Sequence, residues 1–136
     1  MLAAVADQGL TPAHVAAGRG SVEAFAFLHR HDPELVAARA GAGKTPAHCA
    51  AGHNKPEIIS LLAGWGGAAR ASLMARDRAG KMPAHTAAKC DCLEAFEALH
   101  GCVGVVGADS HGMVPAHYAA HWDHPAVLVR LAGWGG

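Results

Sequence analysis

The sequence shows no charge bias, few aromatic residues and no long apolar run. Its 136 residues carry 11 Lys and Arg against 11 Asp and Glu, so the formal net charge is zero. Proteins that bind nucleic acid usually show a basic excess, and the balance therefore argues against a nucleic-acid partner. No apolar run approaches the roughly 20 residues that cross a bilayer, so we expect no membrane insertion.

The chain has four cysteines, and nothing marks it for export. Residues 1–10 have no basic region and include Asp7, which is unlike a signal peptide. Without an export signal, the four cysteines are expected to be reduced thiols rather than a disulfide framework. We therefore expect an intracellular, cytoplasmic protein. The cysteines are Cys49, Cys90, Cys92 and Cys102.

What the sequence does contain is a phrase that recurs four times. Each copy has a proline followed by Ala-His, one variable residue and Ala-Ala. The prolines are Pro12, Pro46, Pro83 and Pro115, and their intervals are 34, 37 and 32 residues. Such a period predicts a repeat architecture. We assign residues 1–136 to one domain of four repeats, at about 6–39, 40–76, 77–108 and 109–136.

The phrase carries the signals of a helix start. Proline lacks the N–H that the first helical position would leave unpaired, so each repeat proline predicts a helix start. Thr11 and Thr45 precede two of these prolines, where a side-chain oxygen can cap a helix. A glycine two residues before each cap position predicts a tight turn. These glycines are Gly9, Gly43, Gly80 and Gly112.

A second helix is predicted in every repeat. About eight residues after each proline stands Gly20, Asn54, Asp91 or Asp123, a residue type that tolerates the left-handed conformation between two helices. Apolar residues then recur at helical spacing. We expect these faces to form the core by stacking on neighbouring repeats. They comprise Val22, Phe25, Leu28; Ile58, Ile59, Leu61, Leu62; Leu93, Phe96, Leu99; and Val127, Leu128, Leu131.

This pattern resembles the ankyrin repeat family, whose units carry Thr-Pro-Leu-His followed by Ala-Ala. The resemblance extends from about Ala6 to the end of the chain. It implies an all-α repeat solenoid of helix-turn-helix units joined by β-hairpin-like loops. It also implies a monomeric adaptor or scaffold that binds another protein on its concave face, rather than an enzyme.

The chain departs from the family pattern at two sets of positions. The family leucine is alanine in all four phrases, which costs roughly 2–5 kcal/mol per site if nothing refills the space. The phenylalanines Phe25, Phe27 and Phe96 are candidates to refill part of it. Met82 and Val114 replace the capping threonine in repeats three and four. Loss of a cap costs about 1 kcal/mol, so we predict that the C-terminal half is less stable.

A phosphate-binding loop is one alternative that the sequence raises. Residues 38–45 read Ala-Arg-Ala-Gly-Ala-Gly-Lys-Thr, with Ala at the first glycine position. A true loop of this kind follows a buried strand. No apolar strand precedes Ala38, and the repeat already explains Lys44 and Thr45. We therefore expect no nucleotide cofactor.

Metal binding and catalysis are further alternatives. Zinc sites use paired ligands at short intervals, and Cys90 with Cys92 or His121 with His124 come nearest to that pattern. A C-x-C pair is a weak signal, and four of the 11 histidines belong to the repeat phrase. Nor does Cys49, adjacent to a histidine, make a catalytic dyad. We expect no metal, no cofactor and no enzyme activity.

The resemblance implies that hairpin tips and exposed first-helix positions face the partner. Cations outnumber acids at these positions, whereas glutamates recur on the second helices. We therefore predict a basic stripe that ends in an aromatic patch and faces an acidic surface on the partner. The predicted partner-binding residues are Arg19, Lys44, His53, Arg78, Lys81, Lys89, Met113, Tyr118, His121 and Trp122.

Two other interpretations stay open at this stage. The chain could be a regulatory or targeting segment of a larger multidomain protein whose catalytic part lies elsewhere. It could instead be a domain that responds to metal or phosphate. Residues 131–136 repeat residues 62–67, after which repeat two continues into another unit. We therefore expect a fragment of a longer repeat array.

Overall fold

The computed structural model describes residues 10–103 and 107–135 of the chain. In these residues the secondary structure is α-helical with short 3-10 turns, and the helices stack in pairs as the expected all-α repeat solenoid. The four helix pairs confirm the predicted fold. The helices are α1 (Pro12–Arg19), α2 (Val22–His31), α3 (Pro46–Gly52), α4 (Pro56–Trp65), α5 (Gly67–Ala71), α6 (Pro83–Lys89), α7 (Leu93–Val103), α8 (Pro115–His121) and α9 (Pro125–Gly135).

The helix boundaries follow the local signals of the sequence. All four repeat prolines stand at the first position of a helix, as do Pro56 and Pro125. The residues predicted to separate the two helices adopt positive φ values, 71° at Gly20 and 57° at Asn54, Asp91 and Asp123. Gly9 lies outside the described residues. The proline and left-handed signals therefore place both helices of each repeat.

A buried imidazole links repeat one to repeat two, and another links repeat two to repeat three. In repeat one, Nε2 of His14 lies 2.8 Å from the carbonyl oxygen of Lys44. A carbonyl only accepts, so Nε2 donates and Nδ1 is free to accept the backbone N–H of Thr11 at 3.2 Å. His48 donates in the same way to the carbonyl of Lys81, whereas His85 donates to the carbonyl of Gly107, which lies before the third hairpin-like loop rather than at its end.

The threonines act differently from the sequence prediction. Oγ1 of Thr11 lies 2.8 Å from Nδ1 of His14, so the hydroxyl donates a hydrogen bond to the imidazole. Nδ1 of the repeat histidine accepts the backbone N–H of the residue before the proline in every repeat, including Met82 at 3.0 Å and Val114 at 2.9 Å. The histidine therefore satisfies this group even where threonine is missing.

Hairpin-like loops connect the repeats and project from the stack. We define the hairpin loops as residues 40–44, 77–81 and 109–113, each closed by a backbone bond such as Asp77 N–H to the carbonyl of Lys81 at 2.9 Å. Gly80 has φ 75°, and a side chain there would stand 2.6 Å from the backbone nitrogen of Ser110. Glycine is thus required where adjacent hairpin loops approach each other.

The core runs along the middle of the stack, between first and second helices. Phe25, Ile59 and Phe96 lie at equivalent positions and are 0%, 0% and 3% exposed. Of the phenylalanines suggested as fillers, Phe25 and Phe96 are therefore buried, whereas Phe27 is 52% exposed and fills no space in the core. The prediction is wrong for Val22, which is 38% exposed although α2 buries Phe25 and Leu28.

Candidate protein-binding surface

The first helices form one row, because α1, α3, α6 and α8 contact each other in turn. The hairpin loops stack in the same order, with Arg78 N–H donating to the carbonyl of Ala42 at 3.0 Å and Ser110 N–H donating to Ala79 at 3.0 Å. A helix of seven residues is about 10 Å long. Hairpin tips and first-helix C-termini thus border a continuous strip about 10 Å wide.

Three predicted cations lie along the hairpin side of this strip. Lys44 and Arg78 are exposed, and Lys81 is half-buried. The carbonyls of Lys44 and Lys81 accept the imidazole bonds from the preceding repeats, so their backbone positions are held. The same residues therefore join the repeats and carry the surface charge.

The carboxylates of the hairpin loops accept hydrogen bonds from within the protein. Oδ1 of Asp77 accepts the N–H groups of Ala79 at 2.9 Å and Lys81 at 3.0 Å. Asp109, which is 8% exposed, accepts two equivalent backbone N–H groups and the hydroxyl of Tyr118. These acids shape the turns, and the cations dominate the exposed surface.

The hydrogen bonds of Asp109 also determine its charge state. Burial alone would raise the pKa of this carboxyl. The Tyr118 hydroxyl and the N–H groups of Met113 and His111 outweigh burial and lower the pKa to about 2. Burial, followed by the neighbouring Asp109, raises the pKa of Tyr118 to about 12. At neutral pH the pair is therefore a carboxylate that accepts from a neutral phenol.

Two lysines lie against aromatic rings of repeat four. Nζ of Lys81 is 5.2 Å from the ring centroid of Tyr118, and Nζ of Lys89 is 5.8 Å from that of Trp122. Both distances are within the range of a cation–π interaction. The ring of His121 meets Trp122 edge-on at 5.1 Å. Trp122 is 50% exposed, so an apolar surface lies beside the cation.

Tyr118 requires a correction to the predicted surface. The sequence places it on the exposed face, whereas the structure leaves it 7% exposed. Its ring packs at the boundary with repeat three, edge-on to His85 at 6.0 Å. A tyrosine at this first-helix position reaches the preceding repeat because its side chain is longer than Val15 or Cys49 at the same position. The Tyr118 ring packs against the side chain of Lys81.

The other predicted residues are spread along the strip. Arg19 and His53 are exposed at or just after the C-terminal ends of α1 and α3. Nδ1 of His53 lies 3.0 Å from the carbonyl oxygen of Cys49, so Nδ1 donates and Nε2 faces away from this bond. Met113 is half-buried against the core. These residues extend the strip. Most of its predicted cations belong to repeats two and three.

The sequence prediction missed two arginines that hold the hairpin loops together. Nη1 of Arg39 donates at 2.8 Å to the carbonyls of both Gly43 and Arg76. Arg76 repeats this one unit later, to Gly80 at 2.7 Å and Ala108 at 2.9 Å. Both stand six residues before the residue that precedes the repeat proline. That constant spacing was the signal that could have found them.

The cysteines do not form a cluster suited to metal binding. In the described part of the chain, no three His, Cys, Asp or Glu residues converge as a metal site would require. All four cysteines are free thiols. Burial raises the pKa of Cys49, and burial followed by Cys90 raises that of Cys92 to about 11. A raised pKa disfavours the thiolate that metal binding or nucleophilic chemistry needs.

The comparison with known families agrees with this geometry. A family model described as ankyrin repeats in three copies matches residues 2–69, which is half of the chain. The chain belongs to the ankyrin repeat family. No curated protein matches the sequence. Ankyrin repeats are generally protein–protein interaction modules and are typically not catalytic. The helices described here are all too short, or too polar, to cross a membrane.

Proposed function

We propose that this ankyrin repeat chain is an adaptor that binds an acidic segment of a partner protein along the hairpin and first-helix strip. The observation that carries the proposal is the segregation of charge. Lys44 and Arg78 are exposed on the hairpin loops, whereas the carboxylates of Asp77 and Asp109 are hydrogen-bonded within them. Complementary charge speeds the encounter and orients the partner.

The acidic residues outside the hairpin loops strengthen this segregation. Glu23, Glu57 and Glu94 are exposed in the first turn of the second helices, outside the hairpin loops. The neutral net charge of the chain therefore conceals a basic hairpin side and an acidic edge at the start of the second helices. An acidic ligand is attracted to one and repelled by the other, which favours a single orientation.

Trp122 is the apolar anchor of the proposed site. It is half-exposed at the end of the basic strip, and Lys89 lies over its ring. Aromatic residues in such positions often dominate binding energy. The proposed ligand is therefore a segment with several Asp or Glu residues followed by one large apolar residue, and Tyr118 contributes by supporting Lys81.

The proposal is tested with synthetic peptides of this composition and fluorescence anisotropy. A peptide of acidic residues ending in Leu or Trp is compared with the same peptide in which each acid is replaced by its amide. We expect the acidic peptide to bind and its affinity to fall as salt is raised, because exposed charges are screened. Lys44→Glu with Lys89→Glu is expected to weaken binding at least tenfold.

Arg30→Glu is the matched control, because Arg30 is an exposed cation on a second helix. It changes the net charge without changing the strip, and its effect on binding should be much smaller. Trp122→Ala should reduce affinity for the peptide that ends in an apolar residue and leave the purely acidic peptide unaffected. Equal affinity for the acidic and amide peptides contradicts the proposal.

A further inference from the structure

A groove lies where the hairpin loops 40–44 and 77–81 meet, and three arginines line it. Its volume is about 310 Å³, at the lower end of the range for small-ligand sites. The arginines are Arg39, Arg76 and Arg78, and all three are exposed. We call this site the arginine groove. It belongs to the middle of the stack, at the junction of repeats two and three.

Two of the three guanidinium groups are held in place by backbone carbonyls. Nη1 of Arg39 donates to two carbonyl oxygens at 2.8 Å, and Nη1 of Arg76 donates to two others at 2.7 and 2.9 Å. Neither guanidinium makes another hydrogen bond with the described residues, so the N–H groups of Nε and Nη2 stay available. These two nitrogens form the edge that binds an oxyanion through two parallel hydrogen bonds. Donors that are already fixed lose less freedom when a ligand binds.

Arg78 is positioned through its backbone rather than through its guanidinium. Its N–H donates to the carbonyl of Ala42 at 3.0 Å, and a Cβ added at Gly43 would stand 3.1 Å from the same nitrogen. The two hairpin loops are therefore in direct contact beside the groove. Within the described ranges, the Arg78 guanidinium has neither a hydrogen bond nor an ion pair. Its charge is available to a ligand.

The one carboxylate of the arginine groove does not neutralise these cations. Asp77 also lines the groove, but its Oδ1 accepts the N–H groups of Ala79 at 2.9 Å and Lys81 at 3.0 Å. In the part of the chain that the structure describes, no ion pair joins Asp77 to an arginine. The groove thus keeps an excess of positive charge.

The next junction shows that the hairpin stack does not require this cluster. There the N–H of Ser110 makes the same bond to the preceding hairpin loop, also at 3.0 Å. Ala108 and Ser110 stand where the arginine groove has Arg76 and Arg78. The hairpin loops therefore stack in the same way with one arginine as with three. Stacking accounts for the bonds of Arg39 and Arg76, but not for the guanidinium of Arg78.

We propose that the arginine groove binds the phosphate group of a phosphorylated serine or threonine in the acidic segment of the partner protein. The inference rests on the proposed function, because Arg78 belongs to the basic strip as well as to the groove. A phosphorylated side chain carries a charge of about −1.5 to −2 at neutral pH and offers three acceptor oxygens. Two fixed guanidinium edges and a third arginine match this group better than they match a single carboxylate.

Fluorescence anisotropy with three matched peptides tests the proposal. The acidic peptide carries serine, glutamate or phosphoserine at one position, and that position is moved along the peptide to find the register. We expect the best phosphoserine peptide to bind at least about tenfold more tightly than its serine counterpart. It should also bind roughly threefold more tightly than the glutamate peptide, because glutamate supplies less charge and fewer acceptors.

Arg78→Gln should remove most of the preference for phosphoserine. Lys44→Gln is the matched control, because Lys44 is an exposed cation of the hairpin loop 40–44 that does not line the groove. It removes the same charge and should weaken the serine and phosphoserine peptides by similar factors. Arg39→Lys keeps the charge but removes the guanidinium edge, and should also reduce the preference. Circular dichroism checks that each variant retains its helices.

The outcomes separate this inference from the proposed function. An acidic peptide that binds better than its amide form, with no gain from phosphoserine at any position, overturns the inference alone. A preference that Lys44→Gln reduces as much as Arg78→Gln does also overturns it. Inorganic phosphate that competes at the concentrations at which the phosphopeptide binds overturns the assignment to a protein side chain. Equal affinity for acidic and amide peptides contradicts the proposed function, and phosphoserine in the amide peptide then tests the groove alone.

Discussion

Repeats two and three differ from repeat four although the three share the same phrase. The first helices of repeats two and three lie between two neighbours, and their histidines are 1% and 0% exposed. The corresponding His117 in repeat four is exposed. The comparison shows that the phrase encodes a side chain able to link repeats, and that the neighbouring repeat decides whether the link forms.

The structure gives a different physical reason for the lower stability expected of the C-terminal half. The sequence attributed it to the missing threonines at Met82 and Val114. In the structure His85 satisfies the backbone N–H of Met82, and repeat three is packed on both sides. The lower stability is therefore expected in repeat four, because each repeat gains most of its stability from its neighbours.

The largest expected effect comes from removing a core ring in repeat three. Phe96→Ala should lower the free energy of unfolding by about 3–5 kcal/mol, because the side chain is buried and leaves a cavity. The equivalent Leu128→Ala in repeat four should cost about 1 kcal/mol, since that leucine is only half-buried. Urea unfolding measures both variants. Equal losses would contradict the difference between the repeats.

A smaller effect is expected from the linking histidines. His48→Ala leaves a buried hairpin carbonyl and a buried N–H without partners, and should cost about 2–3 kcal/mol. His117→Ala removes a single exposed bond to Val114 and should cost about 0.5 kcal/mol. Both values come from urea unfolding at neutral pH. A cost for His117→Ala that matches that of His48→Ala would contradict the difference between the two histidines.

Hydrogen exchange tests the difference between repeat two and repeat four without mutation. The backbone N–H groups of His48 and His117 make the same bond, to Thr45 at 3.0 Å and to Val114 at 2.9 Å. We expect the His117 amide to exchange at least about tenfold faster, because opening repeat four breaks contacts on one side only. Greater protection of repeat four than of repeat two is the contrary outcome.

A further effect is expected in the dependence of stability on pH. Burial lowers the pKa of His14, His48 and His85 below the ordinary 6.5, although their carbonyl partners act in the opposite direction. The unfolded chain then binds more protons, so this contribution is complete above about pH 6.5 and is lost as pH falls. Each histidine adds at most about 1.4 kcal/mol per pH unit.

Thermal unfolding measured between pH 7.5 and pH 5, in steps of about half a pH unit, tests whether stability is lost as pH falls. His48→Gln should unfold at a lower temperature at pH 7.5, but should lose less stability on acidification than the wild type. Asp109 acts at lower pH, since its contribution is lost as pH falls from about 3.8 towards about 2. Stability that rises on acidification from pH 7.5 would contradict the assignment of neutral, buried imidazoles.

The fold was largely predictable because its signals are local. Proline at a first helical position and a left-handed residue such as Asn54 act through the backbone of a few adjacent residues. These signals predicted the helix pairs and turns. The candidate surface was less predictable. Lys44 and Trp122 are exposed as predicted, whereas Tyr118 is buried and the linking arginines Arg39 and Arg76 were missed.

The sequence by itself determined the repeat, the helix starts and the turn residues, because these depend on steric and hydrogen-bonding properties within a few positions of the chain. Only the tertiary structure decided which side chains are covered. His48 and His117 have the same local sequence pattern, and a neighbouring repeat more than 30 residues away buries the first of them. Burial is a long-range property, since it depends on which surfaces meet after the chain has folded.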